Sequence, residues 1–523
     1  MTAEGNVIAR GFGHLLFSQV SSRIVTFILN VLVVRRLPPE VYGVAVIQYH
    51  LITTTILTFS REGVRRACLR GVQIGKKTDP DLKSIIPLSW FCVPQGILWS
   101  TVVCIFVLAF PGALDDKTYV AGVLLHGVAA LVETFSEPAY ILSTCLLVFK
   151  LQLTVETLAS LVKCFATLVF LLPNFQIPPF VAFGFAAIAY SGTLLIGYWS
   201  YFIYKGKLKD MLSIQYVTLR RIKDIEGSVL SAYYSFTFQA IEKHFLGEGE
   251  KFVMAAFQPP YDQGVYGLVN NLGSIVVRTA FQPFEQAIFT AFSMSSKGKD
   301  NKKSLQGQAD LLVLIIKVVI LFGGICIAFG PSYSFTLLWF SYGKRWALTE
   351  APRILAVYCF YVSAMALNGV SEAFMHATAD EKALKRINIS LVVFSILHSL
   401  TSIALIKKLG TYGVVIAGCI SMLIRVAYCL HYMTSYFSTA KYSAWSFSPS
   451  FTSIFAGLVC AGIVYVSEQI HIPHENDASS KSIIKHFILG CLVGLTLLYI
   501  LFKRERDTLD SLRSFSGQKK KEN

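Results

Sequence analysis

The sequence predicts an all-α polytopic membrane protein with about fourteen transmembrane helices. Three observations predict it. The 523 residues are 54% hydrophobic and only 15% charged, where soluble domains carry about 25% charged residues. The apolar residues gather into runs of roughly twenty, enough to cross a hydrocarbon core about 30 Å thick. Basic residues collect in alternate loops, as expected of a chain that weaves through a membrane.

In chain order the apolar windows fall at 12–34, 41–60, 84–110, 119–141, 151–172 and 180–204. A second set follows at 236–257, 264–292, 309–330, 352–376, 388–406, 411–433, 449–470 and 483–502. The run from Phe12 is too long for a cleavable signal peptide and leads directly into a second span, so it is expected to stay as an anchor. The longest polar stretches, 205–235 and 503–523, are too short for a folded domain. No soluble catalytic domain is expected.

The net charge of +16 is unevenly spread. Bases cluster after the second span (Arg61, Arg65, Arg66, Arg70, Lys76, Lys77, Lys83) and after the sixth (Lys205, Lys207, Lys209, Arg220, Arg221, Lys223). They recur at Lys297, Lys299, Lys302 and Lys303, at Lys382, Lys385 and Arg386, and in the tail. The loops between are poor in base, apart from Lys344 with Arg345 and Lys407 with Lys408. The positive-inside rule then puts both termini in the cytosol. It also requires 236–257 to cross, despite Glu242, Lys243, Glu248, Glu250 and Lys251, because the basic loops on either side must share a face. The same rule accounts for the basic surface through anionic lipid, so no nucleic acid partner is expected.

Covalent chemistry has no signature here. The eleven cysteines are scattered and lack a CxxC pair, which reads as small hydrophobes in packed helices. His471, His474 and Glu475 lack further partners for a metal, and no cofactor is expected. There is no phosphate-binding GxxxxGK[ST] loop and no GxSxG elbow. The Asn388–Ile389–Ser390 sequon sits at the cytosolic entrance of a span and should be unused. Lys520 and Lys521, before Glu522 and Asn523, resemble the dilysine signal that retrieves proteins to the endoplasmic reticulum.

An internal repeat organises the spans. Pro38–Pro39–Glu40–Val41–Tyr42–Gly43–Val44 joins the first two, and Pro259–Pro260–Tyr261–Asp262–Gln263–Gly264–Val265–Tyr266–Gly267 joins the seventh and eighth. A third echo, Tyr412–Gly413–Val414, opens the twelfth. An offset of six helices gives a parallel repeat about the membrane normal, a plan that places a cavity between two halves. Arg23, Arg278 and Arg425 fall near the middle of spans, where a charge must face a cavity or a partner. Their guanidinium forks match phosphate oxygens, so together they would cradle a phosphorylated head group. The competing reading pairs them with Glu133, Glu156, Glu285 or Glu372. The segment Arg61–Arg70, with Arg65 and Arg66, is either a positive-inside loop facing lipid or the cytosolic mouth of the cavity.

Arg61–Glu62–Gly63–Val64–Arg65–Arg66–Ala67–Cys68–Leu69 resembles the signature after the second helix of the eukaryotic Rft family. So do Gly249–Glu250–Lys251–Phe252–Val253–Met254, Asp262–Gln263–Gly264–Val265–Tyr266, Asn270–Asn271–Leu272–Gly273–Ser274, Phe281–Gln282–Pro283–Phe284–Glu285 and Asn368–Gly369–Val370–Ser371–Glu372. One departure is Gln286, where the family pattern has a second acid after Glu285; it weakens any paired-carboxylate role there.

The resemblance implies the superfamily of multidrug/oligosaccharidyl-lipid/polysaccharide exporters: two pseudo-symmetric six-helix bundles plus a C-terminal helix pair. The divisions would be 1–223, 224–440 and 441–523. It also implies residence in the endoplasmic reticulum and a glycolipid transporter (flippase) that acts in protein N-glycosylation. The cargo would be dolichol diphosphate carrying five mannoses and two N-acetylglucosamines. Its partners would be that lipid, membrane lipids and N-glycosylation enzymes. Arg23, Arg61, Arg65, Arg66, Arg278, Glu285 and Arg425 are the expected substrate-binding residues, with no catalytic residue and no metal. Two other functions stay open: a non-transporting scaffold for the same glycolipid, and an ion-coupled exporter using Glu133 and Glu137.

Overall fold

The computed structural model describes residues 25–74, 82–206, 227–295, 302–438, 448–472 and 479–506. Arg23, the bases at 207–223, His474 with Glu475, and the tail lysines lie outside them. The described residues are helical, with turns between and no strand among them.

The chain forms two compact units, Met1–Ala255 and Ala256–Asn523. In the first, α1 covers 25–36. Helix α2 runs without a break through Pro39–Gly43, a π-turn at Val44–Tyr49, His50–Leu57, a second π-turn at Thr58–Glu62, and Gly63–Ile74. Next come α3 (Leu82–Ser89 and Cys92–Leu108), α4 (Lys117–Cys145), α5 (Phe149–Phe170), α6 (Pro179–Tyr204) and α7 (Gly227–Phe257). The second unit holds α8 (Pro260–Val276, a π-turn at Val277–Phe281, then Gln282–Ser295) and α9 (Lys302–Tyr342). It continues with α10 (Ala351–Thr378), α11 (Glu381–Leu409), α12 (Thr411–Tyr436), α13 (Phe451–His471) and α14 (Ser480–Arg504).

By length and composition, eleven helices among the described residues could cross a membrane. They are α2–α6 and α9–α14. The other three expected spans coincide with α1, described only from residue 25, and with the more polar α7 and α8. Large apolar residues such as Ile105, Phe106, Phe165, Ile196, Leu492 and Leu495 are exposed on helix surfaces. In water so many would be anomalous; against lipid tails they are the expected surface.

Local sequence sets the helix starts. Proline at N1 needs no amide hydrogen and has its φ pre-set. Pro39 and Pro260 use this, each after a proline N-cap in extended backbone. Asp116 and Asp380 cap α4 and α11 by accepting the amides of Thr118 and Ala383 at 2.8 and 2.7 Å. Each unit is then organised on one central helix. In the first, α4 packs against α6, α3 and α2; in the second, α10 packs against α9, α12 and α8.

The polarity of α7 also has a local cause. The expected division at 223 would make α7 the start of the second bundle; up to Ala255 it belongs to the first unit, and its polar side chains meet α2. His50 Nε2 lies 3.3 Å from Glu248 Oε1, and Lys251 Nζ donates to Glu248 Oε2 at 2.7 Å. His244 Nε2 lies 2.9 Å from Thr55 Oγ1. Any side chain at Gly63 would collide with Thr237, so the two helices touch backbone to side chain there.

Helices α13 and α14 are held to α9 at two points. His486 is fully buried and stacks on Tyr333 at 4.4 Å between ring centroids. Its Nε2 lies 3.2 Å from the Ser332 carbonyl and its Nδ1 2.8 Å from the Ser467 hydroxyl. Past the end of α14, buried Glu505 accepts the Ser450 amide at 2.8 Å and the Ser453 hydroxyl at 2.9 Å. Lys317 Nζ of α9 lies 3.1 Å from its other oxygen. Burial alone would raise the Glu505 carboxyl, but the hydrogen bonds from Ser450, Lys317 and Ser453 overrule it and hold it at about 2.

A folded-state pKa below the unfolded value stabilises at pH above the unfolded pKa, and that stability is lost as pH falls through the folded pKa. Glu505→Gln should therefore loosen α13 and α14 at neutral pH by at most about 3 kcal/mol. The gap between wild type and variant should close between about pH 4.5 and about pH 2. Amide hydrogen exchange in the two helices across that range measures it; a gap that does not change with pH would contradict the assignment.

Candidate functional site

In α2 the π-turn at Thr58–Glu62 adds a residue to the helical register and reorients the side chains that follow. Arg61 and Arg65, four residues apart, then share one face. Opposite them on α4 stand Glu133 and Glu137, also four residues apart. Arg61 Nη1 bridges the two carboxylates, contacting Glu133 and reaching Glu137 Oε1 at 3.1 Å. Arg65 binds Glu137 through a two-pronged fork, Nε to Oε2 and Nη2 to Oε1, both 2.7 Å. Its guanidinium lies 3.9 Å over the Tyr140 ring. The Glu137 side chain is 1% exposed, so this is a buried pair. Arg66 is half-buried and makes no ion pair among the described residues. The segment read from sequence as a loop or cavity mouth is helix, and two of its arginines are committed to carboxylates.

The second unit repeats the plan with the signs moved. Arg425 of α12 donates from Nη2 to both oxygens of Glu372 on α10, at 2.8 and 2.9 Å. Asn368, one turn earlier, donates to Glu372 Oε2 at 3.0 Å, and His376 Nε2 stands 4.0 Å from Oε1. Glu285 of α8 lies directly on Gly369, where any side chain would collide with its carboxylate. Glu285 thus brings a second acid beside Glu372, and it makes no ion pair among the described residues. The backbone of Arg278 lies in the π-turn of α8; its side chain is outside the described residues.

The correspondence between units is positional. Glu133 and Glu137 follow the first residue of α4 by sixteen and twenty positions; Asn368 and Glu372 follow that of α10 by seventeen and twenty-one. The π-turns of α2 and α8 each carry one arginine, Arg61 and Arg278. In both units a carboxylate of the central helix, Glu137 or Glu372, accepts a guanidinium from a neighbouring helix.

Of the expected site residues, the structure gathers Arg61 with Arg65 in the first unit and Arg425 with Glu285 in the second. The acids read as candidates for ion coupling, Glu133 and Glu137, are the partners of Arg61 and Arg65. Matched i, i+4 spacings on two helices were the signal for that pairing. Arg61 and Arg425 each keep a buried Nε–H with no hydrogen-bond partner among the described residues. Among those residues no group of histidine, cysteine or acidic side chains is arranged to hold a metal.

Removing one member of a buried pair leaves the other charge uncompensated, at about 3–5 kcal/mol. Glu137→Gln strips a partner from both arginines and should lower stability by about 3 kcal/mol, with Arg66→Gln below about 1 kcal/mol as the control. Unfolding titrations of the purified protein in detergent compare them; equal losses would show that the fork carries no special weight.

A family model described as Rft protein matches residues 8–514. The Man(5)GlcNAc(2)-PP-dolichol translocation protein of Dictyostelium discoideum is 31% identical, over 90% of this chain and 97% of its own length. That of Mus musculus is 30% identical over 87% of each chain. Among solved structures, the lipid II flippase MurJ in an inward closed conformation superposes with a TM-score of 0.64 at 15% identity, covering 95% of this chain and 99% of its own. An inward-facing multidrug resistance MATE family transporter of the MOP superfamily reaches 0.56 at 11% identity, covering 79% and 95%. At such identities the structural likeness speaks for the fold, a transporter-type helical membrane architecture. The sequence matches run nearly end to end, and by them this chain belongs to the Rft protein family.

Proposed function

We propose that this protein moves dolichol diphosphate carrying five mannoses and two N-acetylglucosamines from the cytosolic to the lumenal leaflet of the endoplasmic-reticulum membrane. The observation that carries the reading is arginine held inside a helical membrane unit, in both halves, each with a carboxylate partner and an unused Nε–H. A diphosphate cannot enter hydrocarbon unaided, whereas a dolichol chain stays in it. The cost of an unpaired arginine in that environment is several kcal/mol. Pairing with Glu133, Glu137 or Glu372 lets the guanidinium wait at depth. A diphosphate presents the same two-oxygen edge to the fork and replaces the carboxylate without stranding the cation. No covalent step is needed.

The relatives named for Man(5)GlcNAc(2)-PP-dolichol translocation support the cargo. In this reading Arg61, Arg65, Arg66, Arg278, Glu285 and Arg425 contact the head group, with Arg23 from the first span. Both termini lie in the cytosol, as the basic loops require. The chain divides functionally at 223 and 440, with α13 and α14 as an additional C-terminal pair. The lumenal product is handed to N-glycosylation enzymes, with which the protein associates.

The test uses purified protein in liposomes with labelled glycolipid, scoring access to each leaflet over time. Wild type should equilibrate the leaflets, and Arg278→Gln/Arg425→Gln should slow this by at least about tenfold, one lost charge-assisted contact being worth about 1.5–3 kcal/mol. Wild type no faster than empty liposomes, while still binding the glycolipid, would replace transport with a scaffold role.

A further inference from the structure

Helix α5 carries a polar stripe that the arginine clusters do not explain. At about 100° per residue, Gln152, Glu156, Ser160, Lys163 and Thr167 fall within an arc of about 80°. The exposed Leu158 and Phe165 lie on the opposite side of the helix and take the lipid. Most of the stripe satisfies itself. Ser160 donates to the Glu156 carbonyl at 2.9 Å, Thr167 to the Lys163 carbonyl at 2.7 Å, and Gln152 to the Ser143 hydroxyl at 3.0 Å. Glu156 and Lys163 do not. Both are exposed, and neither side chain has a hydrogen bond or ion pair among the described residues.

These two charges feel Arg61, Arg65 and Glu133 only at a distance, and, turned away from the lipid-facing side of a membrane span, they call for water or a ligand beside them. They are two helical turns apart, about 10 Å along the axis. Lys163 Nζ lies 5.6 Å from the centroid of the Tyr190 ring of α6. The nearby cations are spoken for, Arg61 and Arg65 being held by Glu133 and Glu137. Lys163 is the basic group beside them with its three donors free.

We propose that this stripe is a head-group track: Lys163 binds an anionic phosphate beside Tyr190, and Glu156 accepts hydroxyls of a sugar attached to it. A flexible ammonium suits phosphate as a point charge, and an ionised carboxylate is an acceptor that sugar hydroxyls satisfy. The spacing fits one phosphate group and the sugar next to it. The assignment rests on the glycolipid reading above and adds to it two binding residues outside the arginine pairs.

Full-length protein in nanodiscs is titrated with two probes, farnesyl diphosphate and an uncharged octyl chitobioside. Lys163→Gln should weaken the diphosphate at least about tenfold and leave the glycoside unchanged, while Lys163→Arg keeps diphosphate affinity within about threefold. Glu156→Gln should show the reverse selectivity. A uniform loss of both probes in Lys163→Gln, shared by Lys163→Arg, would indicate a structural lysine and overturn the proposal. So would unchanged diphosphate affinity in a well-folded Lys163→Gln. Wild type that binds neither probe would instead bring down the glycolipid reading, and the track with it.

Discussion

Charge inside lipid must be matched, and in this protein the matching is done by carboxylates on the central helix of each unit. Glu133 and Glu137 of α4 hold Arg61 and Arg65; Glu372 of α10 holds Arg425. Without those acids three guanidiniums would stand unpaired among apolar helices, a burden of several kcal/mol apiece. The π-turn in α2 and the close approach of Glu285 to Gly369 make sense as geometry in service of these clusters. Both bring polar groups to the central helix at a depth where lipid offers them nothing.

Most of the fold could be read from apolar run length alone, because a bilayer imposes one length scale on every span. The polar seventh helix was reached by sidedness, and the structure supplies its local reason: Glu248, Lys251 and His244 are satisfied by His50 and Thr55 of α2. What hydropathy could not yield were the π-turns and the helical state of Arg61–Arg70. A basic segment looks the same to a composition scan whether it is a solvated loop or a helix with its charges turned inward. The arginine–carboxylate partnership was legible only as an open alternative. Arg425 with Glu372 resolves it toward pairing, and Lys163 passed unnoticed because a single lysine in an apolar run carries no motif.

The two units solve one problem with different residues. Both place an arginine-binding carboxylate about twenty residues into the central helix, Glu137 in one and Glu372 in the other. The first draws its cations from α2, the second from α12, with α8 contributing Glu285 instead. Function in a repeated membrane fold depends on such differences, since two identical halves would offer an asymmetric head group two identical contacts.

Each of these pairs ties a neighbouring helix to the central one. The most direct measurement is a charge exchange at Arg425 and Glu372. Arg425→Glu and Glu372→Arg are made singly and together, and the thermal midpoint of the purified protein is followed. Each single change places like charges face to face and should destabilise strongly; the double change restores an ion pair and should recover most of the loss. A double variant no more stable than the worse single one would mean that the pair does not bind α10 to α12.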